Sequence, residues 1–379
     1  MAGPQRIPRG RQSGTQVAIW SIGYLSINVG NKHTSINDTL DDDRTPLPTV
    51  ARQITRTVAM FWSPRAALNS YAELQQAIED GSDETLRAVA ESTEKANYEV
   101  CDALKHLQPD LFKLLAAKDN HFARNVRRQL GDGQSGAKAE DNNKVKNGIT
   151  HWRAWTPSLV NQPKSNRGLE HPECARLISP ITVNWDDDEA KRQFMEASNP
   201  PLLSSHWPRV LYANETGGPK QPSKGLFEGQ LLVDTAKAII HSPSSVLPLT
   251  SVRPSAVRRG RKGVGHKYQM KAVTPAFLAY VAVILRFALS SEETFSDDGG
   301  TFNYIEFYNQ LRQYLEAPKY QNSVKPLLAW WNRKLFPNSI QAHNDISNID
   351  GPLGMLSLLD AEAEVAIGDG SNDENMDQD

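Results

Sequence analysis

Only two cysteines, Cys101 and Cys174, occur in 379 residues, and they lie far apart in the chain. A disulfide scaffold carries closely spaced pairs, so this chain reads as a protein of a reducing compartment that folds on its hydrophobic core. Hydrophobic residues make up 39% of it, enough for such a core. Long apolar runs are also lacking. The longest, "AFLAYVAVILRFAL" from Ala276 to Leu289, is interrupted by Arg286. It falls short of the roughly 20 residues that cross a bilayer, so no membrane partner is expected.

No catalytic or metal motif is complete. "GRKGVG" at 260–265 has glycines but no preceding strand, and it lacks the Walker spacing. His171 and Cys174 in "HPEC" match half a zinc site, without a second pair to finish tetrahedral coordination. Serines at 242–245 lie beside His241, but a nucleophile needs a base held by a third group, and turn or cap roles fit them better. The run Asp186, Asp187, Asp188, Glu189 has the composition of a first helical turn, where the helix dipole favours acids. No metal, no cofactor and no small-molecule substrate is therefore assigned.

Charge of one sign is missing from long stretches. From Thr235 to Ser291 there is no Asp or Glu, while Lys237, Arg253, Arg258, Arg259, Arg261, Lys262, Lys267, Lys271 and Arg286 are all positive. From Leu335 onward there is no Lys or Arg, and ten acidic residues follow between Asp345 and Asp379. The formal net charge of -2 is thus the sum of a basic block and an acidic block. No acid precedes Asp38 either, and Arg6, Arg9 and Arg11 lie ahead of "VAIWSIGYLSINV". A targeting segment and a loose tail with one short strand are the alternatives there, and the Pro and Gly content argues against an amphipathic presequence.

What is present is mostly helical patterning, and the fold class expected is mainly α: an irregular multi-helix globular domain with a central buried helix, a proline-rich loop region and disordered termini. Residues 1–48 and 338–379 are read as disordered from composition, leaving one helical domain at 49–337 whose order starts near Val50. Ser63 and Pro64 form a cap and first-turn pair. Leu86, Val89, Thr93, Ala96, Val100, Ala103 and Leu107 follow one helical stripe, which suits bundle packing or, in a helix at 84–107, a protein partner. Pro109 opens a helix carrying Leu111, Leu114, Leu115, Phe122, Val126 and Leu130, and "GDGQSGAKAEDNN" is expected to break it into an exposed loop before a helix around 145–155.

The stretch 156–222 holds nine prolines and leaves room only for short elements. Helical patterning returns in "GLFEGQLLVDTAKAII", and Thr274 with Pro275 caps the apolar helix 276–289. Arg286 within that helix calls for a carboxylate partner, with Glu292, Glu293 and Glu306 as candidates. Two more helices, "TFNYIEFYNQLRQYLEA" and "SVKPLLAWWNRKLFP", supply Trp330 and Trp331, read as core beside leucines at helical spacing.

The pieces "RGLEHP", "GLF", "HSPSSV", "VTPAFLAYVAVILRFALSS", "FYN" and "LLAWWNRKLFP", in this order and spacing, resemble an uncharacterised family, domain of unknown function 6698, abundant in mushroom-forming fungi. The resemblance runs from about Leu111 to Pro337 and implies a fold boundary and a fungal source. It implies no activity.

The basic stretch "AVRRGRKGVGHKY" is the remaining candidate site. Arg258, Arg259, Arg261, Lys262 and Lys267 on a glycine-spaced loop suit contact with nucleic-acid phosphates or with a nuclear import receptor. The chain is read as an interaction protein rather than an enzyme, nuclear or cytoplasmic, and possible enzymatic chemistry of an unrecognised kind stays open. The leading reading is nucleic-acid or chromatin association through the basic loop. The alternative is a helical protein-protein scaffold without nucleic-acid binding.

Overall fold

Pro46, in extended conformation, leads directly into helix α1 (Leu47–Thr57). The structure, a computed structural model, describes residues 45–71, 95–197, 199–246, 263–297 and 300–337. Among these residues the fold is helical and contains no strand. Two isolated bridges, Pro180 with Pro208 and Tyr212 with Leu226, are the extended pairings. The chain divides into two compact units, Met1–Lys138 and Ala139–Asp379.

In the first unit, Ser63 caps helical residues 64–71 as expected, its Oγ accepting from the Ala66 N–H at 3.3 Å. Helices α2 (Lys95–Leu107) and α3 (Leu111–Ala117) follow. The chain then opens at Lys118, which is extended, and Asp119 Oδ1 accepts from Phe122 N at 2.9 Å to start α4 (Asn120–Trp152). Val50, Ile54, Val100, Leu104, Leu111, Val126 and Leu130 meet in the core. Val100 and Ala103 of the expected stripe are buried there, with Ala96 and Leu107 packed against them. Leu86, Val89 and Thr93 lie outside the described residues.

The expected break at "GDGQSGAKAEDNN" does not occur, because α4 runs unbroken for 33 residues. Gly133 and Gly136 are packing positions against α1. A Cβ on Gly133 would stand 2.4 Å from the Pro48 carbonyl oxygen and 2.6 Å from Ala51 Cβ. Helix α1 therefore crosses where α4 has no side chain. Each glycine costs roughly 1 kcal/mol of helix propensity, and the close approach restores van der Waals contact.

The second unit takes the rest of α4, then handles its prolines with single turns and two short helices, α5 (Pro172–Ile178) and α6 (Asp188–Ala197). Gly225 and Phe227 have positive φ of 70° and 62°, so "GLF" is a turn and helix α7 starts only at Gln230, ending at Ile240. The short helix α8 (Val264–Lys267) corrects the sequence reading of a loop at the end of the glycine-spaced stretch. Gly265 fits against Ile240, whose Cγ2 would lie 2.4 Å from an added Cβ.

Helix α9 (Pro275–Leu289) is capped by Thr274 Oγ1, which accepts from Phe277 N at 3.1 Å. Every residue from Ala276 to Leu289 is buried, as its all-round apolarity requires. It packs against α7, α5 and α10 (Tyr304–Glu316). Helix α11 (Gln321–Leu335) completes the unit and drives Trp331 into the core, where its Nε1 donates to the Phe227 carbonyl at 3.1 Å. Trp330 is only half-buried, standing edge-on to Trp331. The segments 1–44 and 338–379 lie outside the described residues.

Candidate functional site

Two helices of the second unit end side by side. Lys237 lies in the last turn of α7, and Arg333 and Lys334 lie in the last turn of α11, positions where carbonyl ends favour cations. His241, directly after α7, joins the two ends: its Nε2 is 3.0 Å from the Leu335 carbonyl oxygen, and its ring packs edge-on to Phe336. A cavity of about 420 Å³ opens between them, lined by Lys237, His241, Ser245, Lys334, Leu335, Phe336 and Pro337. None of these residues is acidic. Leu335, Phe336 and Pro337 supply apolar lining, and its charged groups are two ammonium groups, one of which also lies over the Trp330 ring at 5.3 Å.

The basic stretch is anchored at the same place. Ser245 Oγ donates to the Lys237 carbonyl at 3.2 Å and to the Ser242 carbonyl at 2.6 Å, fixing the turn from which the chain departs after Val246. It returns at Gly263, where an added Cβ would lie 2.1 Å from the His241 carbonyl oxygen. Of the five residues singled out from sequence, Lys267 is exposed on α8. Arg258, Arg259, Arg261 and Lys262 lie outside the described residues. Exposed Lys271 follows α8, and its segment is tied to α11 by a bond from Val273 N to Asn332 Oδ1 at 2.7 Å.

A second cationic group, unmarked in the sequence, caps the other end of α9. Lys164 Nζ, buried, donates to the Ser290 carbonyl at 2.8 Å and to the Glu292 carbonyl, and lies 3.9 Å from the Phe287 ring centre. Burial, reinforced by the neighbouring Arg167 charge, lowers its pKa to about 7. Arg167 Nη1 donates to the Ala288 carbonyl at 2.7 Å and its Nη2 to the Lys146 carbonyl at 3.0 Å, and burial lowers its pKa as well. Both cations satisfy carbonyls that a buried helix end would otherwise leave unpaired.

Arg286 is buried, but its expected direct carboxylate pairing is replaced by a relay. Its guanidinium stacks on Phe302 at 3.5 Å and donates to Tyr304 Oη at 3.4 Å. The Tyr304 hydroxyl in turn donates to Glu292 Oε2 at 2.6 Å, and burial raises its pKa. Glu292 is one of the three acids offered from sequence, and the aromatic intermediary was not marked there.

The remaining motifs are structural where they are described. His171 caps α5, its Nδ1 accepting from Cys174 N at 3.3 Å while Nε2 donates to the Pro157 carbonyl at 2.7 Å, which occupies both ring nitrogens. Burial pushes the Cys174 thiol up to about 12, so it carries no thiolate at neutral pH. Asp187 Oδ1 accepts from the N–H groups of Glu189 and Ala190, a helix-start role.

A family model described as a family of unknown function (DUF6698) matches residues 132–336, more than half of the chain. No curated protein and no solved structure matches it.

Proposed function

The chain belongs to the DUF6698 family, which brings no activity with it, and from the residues themselves we propose a non-enzymatic protein that binds nucleic-acid phosphates. The basic loop and the cationic cavity beside it form the contact surface. One observation carries this reading: both ends of the loop are fixed at the C-terminal end of α7, beside a cavity whose charged lining groups are Lys237 and Lys334. Residues 235–291 and 317–337 contain no acid, and Asp234, one turn before Lys237 on α7, is the acid next to this site. Lysines outnumber acids around the cavity although the whole chain has a formal charge of -2.

Flexible lysines and a glycine-spaced loop suit phosphate contacts more than base reading. A partner of this kind fits a nuclear or cytoplasmic protein. The scaffold alternative draws less support, because Val100 and Ala103 of its stripe are already covered within the first unit.

The test is equilibrium binding of labelled single-stranded and duplex DNA, comparing the wild type with a variant in which Arg258, Arg259, Arg261 and Lys262 are alanine. Salt-dependent binding by the wild type, reduced at least about tenfold in the variant, is expected for several lost phosphate contacts. Equal binding by the two proteins removes the loop from the surface. No binding at low salt, by these proteins or by a chain in which the ten acids after Leu335 are changed to amides, rejects the reading.

A further inference from the structure

We infer that the cavity bounded by Lys237, His241 and Lys334 docks an acidic segment, and that its occupant is residues 338–379 of this same chain. Pro337 lines the cavity, so the following segment starts at its rim. That segment carries ten Asp and Glu residues and no Lys or Arg, opposite a lining that carries lysines and no acid. It also contains Leu353, Met355, Leu356, Leu358 and Leu359 immediately ahead of Asp360, Glu362 and Glu364. This pattern matches a cavity lined by Leu335 and Phe336 together with two ammonium groups.

Distance poses no obstacle. Each extended residue spans about 3.3 to 3.6 Å, so even the short link from Pro337 to Asp345 can turn back over the lysines. A ligand tethered at the rim acts at an effective concentration of order millimolar, which no dilute competitor matches. Docking itself does not depend on the phosphate-binding reading. Its consequence, that the segment competes with nucleic acid, does rest on that reading.

The test uses the full chain and a zero-length carbodiimide, which joins a lysine amine to a touching carboxylate. At low salt, where the Debye length is about 30 Å, tryptic mapping of the monomer should find Lys237 and Lys334 joined to acids between Asp345 and Asp379. These links should be lost near 1 M salt. Tail links spread equally over the exposed Lys220 and Lys319, or none at Lys237 and Lys334, overturn the docking. Links found only in covalent dimers overturn the intramolecular occupant in favour of a second copy.

A second arm changes all ten acids to Asn or Gln and measures binding of a labelled single strand, which should tighten about tenfold or more. Equal binding by the wild type and this variant overturns the competition. If neither binds, the phosphate-binding reading fails, and the cross-links alone decide docking.

Discussion

Lys164 is held by opposing forces. The carbonyls of Ser290 and Glu292 and the Phe287 face favour its ammonium form, while burial beside Arg167 lowers its pKa to about 7. An unfolded lysine titrates near 10.4. Between about pH 7 and 10 the unfolded chain therefore binds more protons than the folded one, and the lysine's contribution makes stability rise with pH. That contribution is lost as pH falls through 7. Lys164→Met should destabilise the fold by about 1 to 3 kcal/mol by stranding buried carbonyls. Urea unfolding of both proteins at pH 7 and pH 9.5 isolates the titration, since other groups are common to both. The wild type should gain on the variant at the higher pH. A constant difference would mean that the carbonyls keep the amine charged throughout.

At the scale of elements, the crossing of α1 over α4 depends on Gly133. Gly133→Ala gains about 1 kcal/mol in helix propensity. It also puts a methyl group 2.4 Å from the Pro48 carbonyl oxygen, so the overpacking cost of about 1 to 3 kcal/mol should dominate. Gly131 has nothing within 4 Å of an added Cβ, so Gly131→Ala should be neutral or stabilising by up to about 1 kcal/mol. Denaturant midpoints that move in opposite directions for the two variants would establish the crossing; a gain in both would remove it.

The same glycines explain why the sequence pattern divides α4 into two helices and a loop. Local propensity registers Gly131, Gly133 and Gly136 as breakers, whereas the use of Gly133 and Gly136 is set by a helix some eighty residues earlier. Helix α9 was legible because its cap, first-turn proline and all-round apolarity are local signals. The capping pair Lys164 and Arg167 was not legible, since Lys164 reaches its Ser290 acceptor across a separation of 126 residues. At the candidate site, composition revealed the excess of positive charge. Only the fold shows that Lys237 and Lys334, from two different helices, share one cavity.

At the scale of the whole molecule, the net charge of -2 conceals two opposed regions that salt affects differently. Single-stranded nucleic acid releases counterions when lysines and arginines neutralise its phosphates, so log K falls with log salt at a slope of about -0.7 per phosphate contact. Contacts from Lys237, Lys334, Lys267 and the four basic loop residues would give a slope of at most about -5. The acidic segment adds an opposite dependence, because salt weakens its hold on the cavity as it weakens the nucleic acid. The wild-type slope should therefore be shallower than that of the chain with its ten tail acids neutralised, and the two lines should meet at high salt, where both attractions are screened. Titrations at four or five salt concentrations measure this directly. Parallel lines would mean that the segment affects affinity without occupying the cationic surface, while coincident lines would mean that it has no influence on binding.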